Sequence, residues 1–520
     1  MNSIGMSAGS TSYRLISNTI LNVAANLFGA GVGFVLVPFM FRNLGAAAYG
    51  VWVLIGSVFS YTALLQLGLS SAVNRHVPVF LVRGDAEGLR RTTSTATAFF
   101  TLVGALCAVF TAALYWNFTR WFSVPPEFRQ SAARAILIVG ATLSLTAALQ
   151  VSPAILSGYQ RYGYTSSSRV LTLAIRALLL LVLLPRGWGL LTVAVLYGAT
   201  ELAMALLNLI LAFHLLPRSS FSLSGLDAPL LREMLAYGIN TFLYSAGAVI
   251  LYKTSELLIG IFLKAEDVAR YSIPSSAVLM LGGMVECFCS AIKPMVSDLD
   301  ARADRKRVRE IAILVQKYTL ILTTPCVAFI LIMGNEFMRI WTKTDPGEMS
   351  LVLAILAIGH FARLSQYSNF LVLVGVAEHR VFGLLTLAMA LTTLAGSILA
   401  LTWGWGLVGV AAANTVAMVV FCGSVVPLHV NRRIGIPWRT SFEQVWCKAA
   451  FAALPGIALQ VIWKHANPPQ GWTNVASLAA ACLGVVLASA WLFGLEPGER
   501  EHFRRASKLL LSRTPAAAAA

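Results

Sequence analysis

Acidic residues are scarce in this 520-residue sequence: 22 Asp and Glu stand against 39 Lys and Arg, and charges of both signs make up only 12% of the chain. A soluble globular domain carries about 25% charged and roughly 45–50% apolar residues. Here the apolar share is 58% and the mean hydropathy is +0.75. Too little polar surface is left to face water, so the chain reads as an all-α, polytopic membrane protein. Its apolar runs are continuous rather than alternating, which excludes a β-barrel.

Other shortages narrow the function. The seven cysteines, Cys107, Cys287, Cys289, Cys326, Cys422, Cys447 and Cys482, show neither CxxC nor Cys/His metal spacing. No Walker loop, HExxH or GxSxG is present. No loop exceeds about 20 residues, so no catalytic domain sits outside the membrane. The sequence therefore predicts no enzyme, no cofactor and no metal. The excess of positive charge lies in short loops, not in a domain that would bind nucleic acid.

Fourteen membrane helices are predicted, over 15–40, 47–71, 94–116, 134–156, 169–185, 189–213, 236–262, 271–292, 311–333, 350–375, 380–401, 405–427, 446–463 and 473–494. The first run, of about 26 residues after Arg14, is too long for the ~7–15-residue core of a signal peptide. Twenty-four of the 39 Lys and Arg fall on the two termini and the loops of one side, ten on the other, and five within spans. Positive charge is retained in the cytoplasm, so both termini are placed there. The segment Glu496–Ser512 reads as a basic amphipathic helix on the inner leaflet, with Phe503 and Leu509–Leu511 against Arg504, Arg505 and Lys508.

An internal repeat is visible. Phe41–Gly50 leads from span one into span two much as Phe262–Tyr271 leads from span seven into span eight. Six spans separate the copies, an even number, so the repeats are parallel.

At these residues the chain resembles the polysaccharide transport family of the multidrug/oligosaccharidyl-lipid/polysaccharide flippase superfamily. The matching stretches are Arg42-Asn43-Leu44-Gly45 with Tyr49-Gly50, Leu65-Gln66-Leu67-Gly68-Leu69 running on to Arg75, and Leu235-Ala236-Tyr237-Gly238-Ile239. Ile259-Gly260-Ile261-Phe262-Leu263 and Gly334-Asn335-Glu336-Phe337 with Trp341 follow in order, the likeness extending over about residues 15 to 430. The resemblance implies a cytoplasmic N-terminus at 1–14, an N-lobe at 15–218 (spans one to six) and a C-lobe at 219–430 (spans seven to twelve) around a central cavity. It further implies spans thirteen and fourteen at 431–495, associated with a lipid tail, and a basic cytoplasmic tail at 496–520. The implied cargo is a polyprenyl-pyrophosphate-linked oligosaccharide for O-antigen, exopolysaccharide or capsule. Glycan polymerase and glycosyltransferases of the same pathway are the implied partners of a monomer in the bacterial inner membrane. Gln66 and Glu256 depart from the acidic residues common at those two places in the family.

Such a cargo sets a physical task. An ion in hydrocarbon costs tens of kcal/mol by idealised Born estimates, and each dehydrated hydroxyl adds several more. The membrane potential supplies only ~2.3 kcal/mol per charge per 100 mV. The protein must then provide a wet path with cations for phosphate and hydrogen-bonding groups for sugar. Candidate cations are Arg363, Lys253, Arg176, Lys293 and Lys317. Lys253 and Glu256 are spaced to pair on one helix face, and Arg176 can meet Glu201 on the next helix, so neutralisation competes with substrate binding for both. Lys293 and Lys317 lie near enough to the interface to snorkel. Asn22 and Asn26, in line with Asn18, form a polar stripe on span one that suits either sugar hydroxyls or helix–helix hydrogen bonds. Gln366, Tyr367 and Phe370 beside Arg363 are the preferred sugar contacts. Glu256, Glu201 and Glu286 are candidates for ion coupling. A lipid II flippase is the nearest rival on substrate. A cation-coupled multidrug antiporter would need acids in the first lobe, where Glu201 is the one deep acid in the predicted spans.

Replacing Arg363 by Ala should abolish glycan export while leaving the protein inserted and abundant. Quantifying surface glycan against membrane-protein level checks this, and wild-type export would remove Arg363 from the path.

Overall fold

The computed structural model describes residues 8–159, 161–215, 227–289, 292–376, 378–496 and 498–501, with side chains from residue 21 onward except at 293 and 294. Every regular element among them is helical. The first nine helices are α1 (Ala8–Ser60), α2 (Leu69–Arg83), α3 (Ala86–Trp121), α4 (Arg129–Ala148), α5 (Val151–Gly158), α6 (Tyr162–Leu183), α7 (Leu190–Leu215), α8 (Ala228–Phe262) and α9 (Ala265–Cys289). There follow α10 (Ile292–Ala301), α11 (Arg305–Thr342), α12 (Glu348–Ser365), α13 (Tyr367–Gly375), α14 (His379–Thr402) and α15 (Gly406–Val420). The chain continues through α16 (Val426–Ile434), α17 (Trp438–Ser441), α18 (Lys448–Ala466) and α19 (Trp472–Ser489).

Thirteen stretches of the described residues are long and apolar enough to cross a membrane, one fewer than the sequence predicts. The difference lies in the first, Leu21–Gln66, whose 46 residues are counted once. At ~1.5 Å per residue it would run to roughly 70 Å, about twice the hydrocarbon thickness. It is divided at Gly45, whose backbone is not helical (φ 79°, ψ 165°), so predicted spans one and two are the two arms of α1. The protein is a multi-pass membrane protein.

Helix starts carry local signals. Asp85, Asp227 and Asp304 each accept a backbone N–H three residues on, at 2.8, 3.0 and 3.1 Å, and cap α3, α8 and α11. Each lies beside arginines of the positive side.

The described residues fall into two compact units. The first comprises 1–288 with 346–359 and 377–421; the second comprises 289–345 with 360–376 and 422–520. In the first unit α3 packs on α4, α4 on α7, α1 on α6 and α8 on α14. In the second, α11 packs on α18, α18 on α19, and α13 on α10 and α11. Its core gathers Leu320, Val445, Ala449, Ala452 and Val486.

Two of the stretches that carry the family likeness meet within the first unit. Gly68 takes a left-handed conformation (φ 72°). A Cβ there would stand inside van der Waals distance of the Gly238 carbonyl, and a Cβ on Gly238 would stand 2.6 Å from the Leu67 carbonyl oxygen. Two glycines therefore let α2 and α8 touch backbone to backbone. Polar pairs continue the contact on either side. Ser71 Oγ donates to Thr241 Oγ1 at 3.2 Å, Tyr61 Oη lies 2.5 Å from Thr254 Oγ1, and the Arg75 guanidinium sits 4.6 Å from the Tyr237 ring centre.

Gly238→Ala should lower stability by about 1–3 kcal/mol through overpacking, and Gly68→Ala should do so further because its left-handed backbone is strained. Thermal unfolding of the purified protein reads both; wild-type melting in the two variants would mean that α2 and α8 do not touch here.

Candidate functional site

Two spans are interrupted at matching places. Predicted span four breaks at Leu149-Gln150 between α4 and α5, and α5 ends at Gly158. Predicted span ten, six spans on, breaks at Gln366 (φ −106°, ψ 4°) between α12 and α13, and α13 ends at Gly375. Each break has a glutamine followed by a short helix that closes in glycine. Interrupted helices expose backbone polar groups, which the membrane tolerates only against protein or water.

At the first break lies a cavity of about 390 Å³, lined by the ends and faces of α3 to α7 and by the 3₁₀ turn Tyr61–Gln66. Gln66, Gln150, Thr165, Arg169, Glu201 and Asn208 give it a polar wall. Asn208 is 5% exposed, and its Oδ1 accepts no hydrogen bond from the described residues. A buried acceptor of this kind needs a partner.

Arg169 was not among the predicted site residues, because span five is expected only from 169. In the structure α6 begins at Tyr162, which draws Arg169 two turns into the helix. Hydroxyls of the polar run Tyr162–Ser168 are satisfied within the helix by helix carbonyls: Thr165 Oγ1 donates to Tyr162 O at 2.9 Å and Ser168 Oγ to Tyr164 O at 2.8 Å. Arg169 Nη1 donates to Asn26 Oδ1 at 2.8 Å. Asn26 is thus brought to the cavity wall through Arg169, whereas Asn22, one turn earlier, is exposed. This bond orients the guanidinium.

The other cation of this region is neutralised. Arg176 Nη2 donates to Glu201 Oε1 at 2.5 Å and its Nε to Thr200 Oγ1 at 2.8 Å, with the guanidinium 4.3 Å from the Tyr197 ring centre. Glu201 therefore reaches the cavity as half of an ion pair. Glu256 on α8 is 3% exposed. It accepts from the Ser57 hydroxyl and from Lys253 Nζ, the latter at 3.2 Å. Glu286 lies exposed near the end of α9.

In the second unit Arg363 is 4% exposed, its guanidinium 5.5 Å from the Phe370 ring centre. Gln366 accepts from Asn369 Nδ2 at 2.7 Å, and Gln316 Nε2 donates to the Ser365 carbonyl at 3.2 Å. Gln366 and Phe370 are buried and Tyr367 is half-buried. Lys317 does not snorkel: it is 3% exposed, and both oxygens of Glu499 stand 2.7 Å from its Nζ. Lys293 belongs to α10 rather than to span eight, and its side chain lies outside the described residues, as do the Asn18 side chain and residues 502–512 of the predicted tail helix. No group of three or more His, Cys, Asp or Glu gathers to hold a metal ion among the described residues.

Removing one member of the Arg176–Glu201 pair strands the other in a largely apolar bundle. Arg176→Met alone should cost a few kcal/mol, and Arg176→Met with Glu201→Met should recover most of it. Thermal melts of the single and double variants decide this; equal melting of both would show the pair to be solvated.

Residues 15–300 match the family described as polysaccharide biosynthesis protein. The chain is 22% identical to the uncharacterized membrane protein EpsK of Bacillus subtilis, over 80% of this chain and 83% of that one. It is 20% identical to a putative O-antigen transporter of Shigella flexneri, over 77% and 95%. Among solved structures it is similar to the lipid II flippase MurJ in an inward closed conformation, with a TM-score of 0.66 at 14% identity over 93% and 98% of the two chains. It is also similar to an inward-facing MATE multidrug transporter of the MOP superfamily, with a TM-score of 0.61 at 17% identity over 83% and 96%. With its family matched over more than half its length and its fold shared with these transporters, the chain is a member of the polysaccharide biosynthesis protein family, built on the fold of the multidrug/oligosaccharidyl-lipid/polysaccharide flippase superfamily.

Proposed function

We propose that the protein is a polysaccharide flippase, which moves a polyprenyl-pyrophosphate-linked oligosaccharide from the cytoplasmic to the outer leaflet of the inner membrane by alternating access. The observation that carries this reading is the cavity at Gln150, on whose wall Arg169, held by Asn26, stands with Gln66, Gln150 and Asn208. Its volume, about 390 Å³, lies within the ~300–1,000 Å³ of small-molecule sites and takes part of a saccharide headgroup rather than the lipid. The lipid tail remains in the bilayer, where its burial costs nothing.

In this reading Arg169 attracts phosphate or an acidic sugar, and Gln66, Gln150 and Asn208 exchange hydrogen bonds with hydroxyls. Arg363, Gln366, Tyr367 and Phe370 at the break of span ten are further candidate cargo contacts, with Lys253, Lys293 and Lys317 as further candidate cations. The lobes 15–218 and 219–430 rock about it, with both termini in the cytoplasm. Names of relatives that include an O-antigen transporter and a glycan biosynthesis flippase support the cargo class. The fold likeness to MurJ keeps a lipid II cargo as the second reading. Glu256, closed in by Ser57 and Lys253, is the acid placed to couple transport to a cation; breaking its bonds would cost stability before it could act, so coupling would show as a conformational change.

In cells depending on this protein for surface glycan, Arg169→Ala should reduce export at least about tenfold, the loss of one charge-assisted contact. Arg169→Lys should retain part of it. Lipid-linked repeat units should accumulate on the cytoplasmic leaflet. Export equal to wild type in Arg169→Ala would remove Arg169 from the path, and rescue of a lipid II flippase deficiency but not of glycan export would overturn the glycan cargo. Collapse of proton and sodium gradients in proteoliposomes should slow wild-type transport and leave Glu256→Gln unaffected.

A further inference from the structure

Four charges from three elements close on one another at one end of the second unit. Lys317 comes from α11, Lys448 from the start of α18, and Glu496 and Glu499 from the segment that follows α19. Lys317 Nζ stands 2.7 Å from both Glu499 oxygens, and Lys448 Nζ 2.5 Å from Glu496 Oε1. The Glu499 carboxylate also accepts the Glu496 N–H at 2.8 Å, so the three-residue step between the two acids is itself folded to present them together. The Lys448 ammonium holds the Glu496 carboxyl below the usual carboxylate range, and Lys317 contributes.

Their setting is unequal. Lys317 is 3% exposed and lies ~12 Å along α11 from Arg309, a residue of the positive side. The acids stand just outside the last span. Lys448 directly follows the π-helical turn Phe442–Cys447, and Glu496 comes two residues after the turn Ala490–Gly494, which packs through Gly494 against Ile321 and Ala452. Such turns are less stable than α-helix and gather at functional sites. Two acids therefore neutralise two lysines while hanging on irregular backbone at the edge of the bilayer. An ion pair buried in this way is weak evidence for stability, since an apolar pair commonly serves as well.

We propose that Lys317 and Lys448 form an entry site for the pyrophosphate of a polyprenyl-linked cargo, and that Glu496 and Glu499 are an intramolecular latch occupying it until cargo displaces them. Opened, the site carries two positive charges for a ligand of about two negative charges. Its place beside α18 and α19 puts the phosphates at the foot of the last two spans with the polyprenyl chain free to enter lipid. The basic residues after Glu501, from Arg504 to Arg513, favour an anionic leaflet. This assignment rests on the flippase reading above.

The test uses the full chain in phosphatidylcholine nanodiscs, with farnesyl pyrophosphate as probe. Glu496→Gln with Glu499→Gln should raise apparent affinity about tenfold, because a self-occupied site divides affinity by its open fraction. Adding Lys317→Met should abolish the gain. Thermal melts run alongside, and Lys317→Met with Glu499→Met removes the deep pair without leaving a lone charge. Unchanged affinity in the Gln variant, or a gain that survives Lys317→Met, overturns the latch. A gain erased by phosphatidylglycerol added to the nanodisc assigns the site to ordinary lipid phosphate and overturns the cargo assignment. Inorganic pyrophosphate should bind more weakly than the farnesyl compound; equal binding would overturn the part given to the chain. Wild-type glycan export, measured separately, tells the two readings apart: export with unchanged probe binding sinks the latch alone, and absent export sinks the flippase reading.

Discussion

A charge inside an apolar helical bundle must be paired, hydrogen-bonded or wet. That constraint orders the deep polar groups of this protein. Arg176 has Glu201, Thr200 and the Tyr197 ring; Glu256 has Ser57 and Lys253; Lys317 has both oxygens of Glu499. Each is a near-complete account of one ion by its neighbours. Arg169 differs in kind. Its contact to Asn26 is a bond from a cation to a neutral amide at the wall of a cavity. That bond fixes the orientation of the guanidinium at the cavity wall.

The backbone obeys the same rule. At the breaks the Gln150 and Gln366 N–H groups bond to the Ala147 and Arg363 carbonyls, each at 3.1 Å, so the turns keep these groups paired. Their recurrence six spans apart follows the parallel repeat seen between Phe41–Gly50 and Phe262–Tyr271. The first break opens on the polar cavity. At Gly68 and Gly238 the reverse holds: missing side chains allow two helices to share a dry backbone contact. The 3₁₀ turn Tyr61–Gln66 belongs to both regions: Tyr61 bonds Thr254 in the seam, and Thr62 and Gln66 line the cavity.

The last spans show how a predicted cation acquires a different role. Lys317 is near enough to the membrane surface to snorkel, yet it remains buried because a carboxylate comes to it from beyond α19. Desolvating an ammonium is costly alone and acceptable beside a bidentate acceptor.

The sequence by itself determined the class of protein, the positions of nearly all spans, the side on which positive charge collects and the family likeness. Those properties are written in local composition: hydropathy over about 20 residues, lysine and arginine in loops, glycine in the right order. It also anticipated the Lys253–Glu256 and Arg176–Glu201 pairs, since one lies on a single helix face and the other joins consecutive helices. The tertiary structure alone decided that Ser57 would meet Glu256 and Glu499 would meet Lys317, residues 199 and 182 positions apart. It also set Arg169 two turns inside α6, where Tyr162–Ser168, six polar residues and Gly163, read as a loop. Hydropathy measures whether a stretch prefers lipid to water. It cannot register a hydroxyl turned back on its own helix, or a distant carboxylate that makes a buried cation tolerable, because both exist only once the helices have packed.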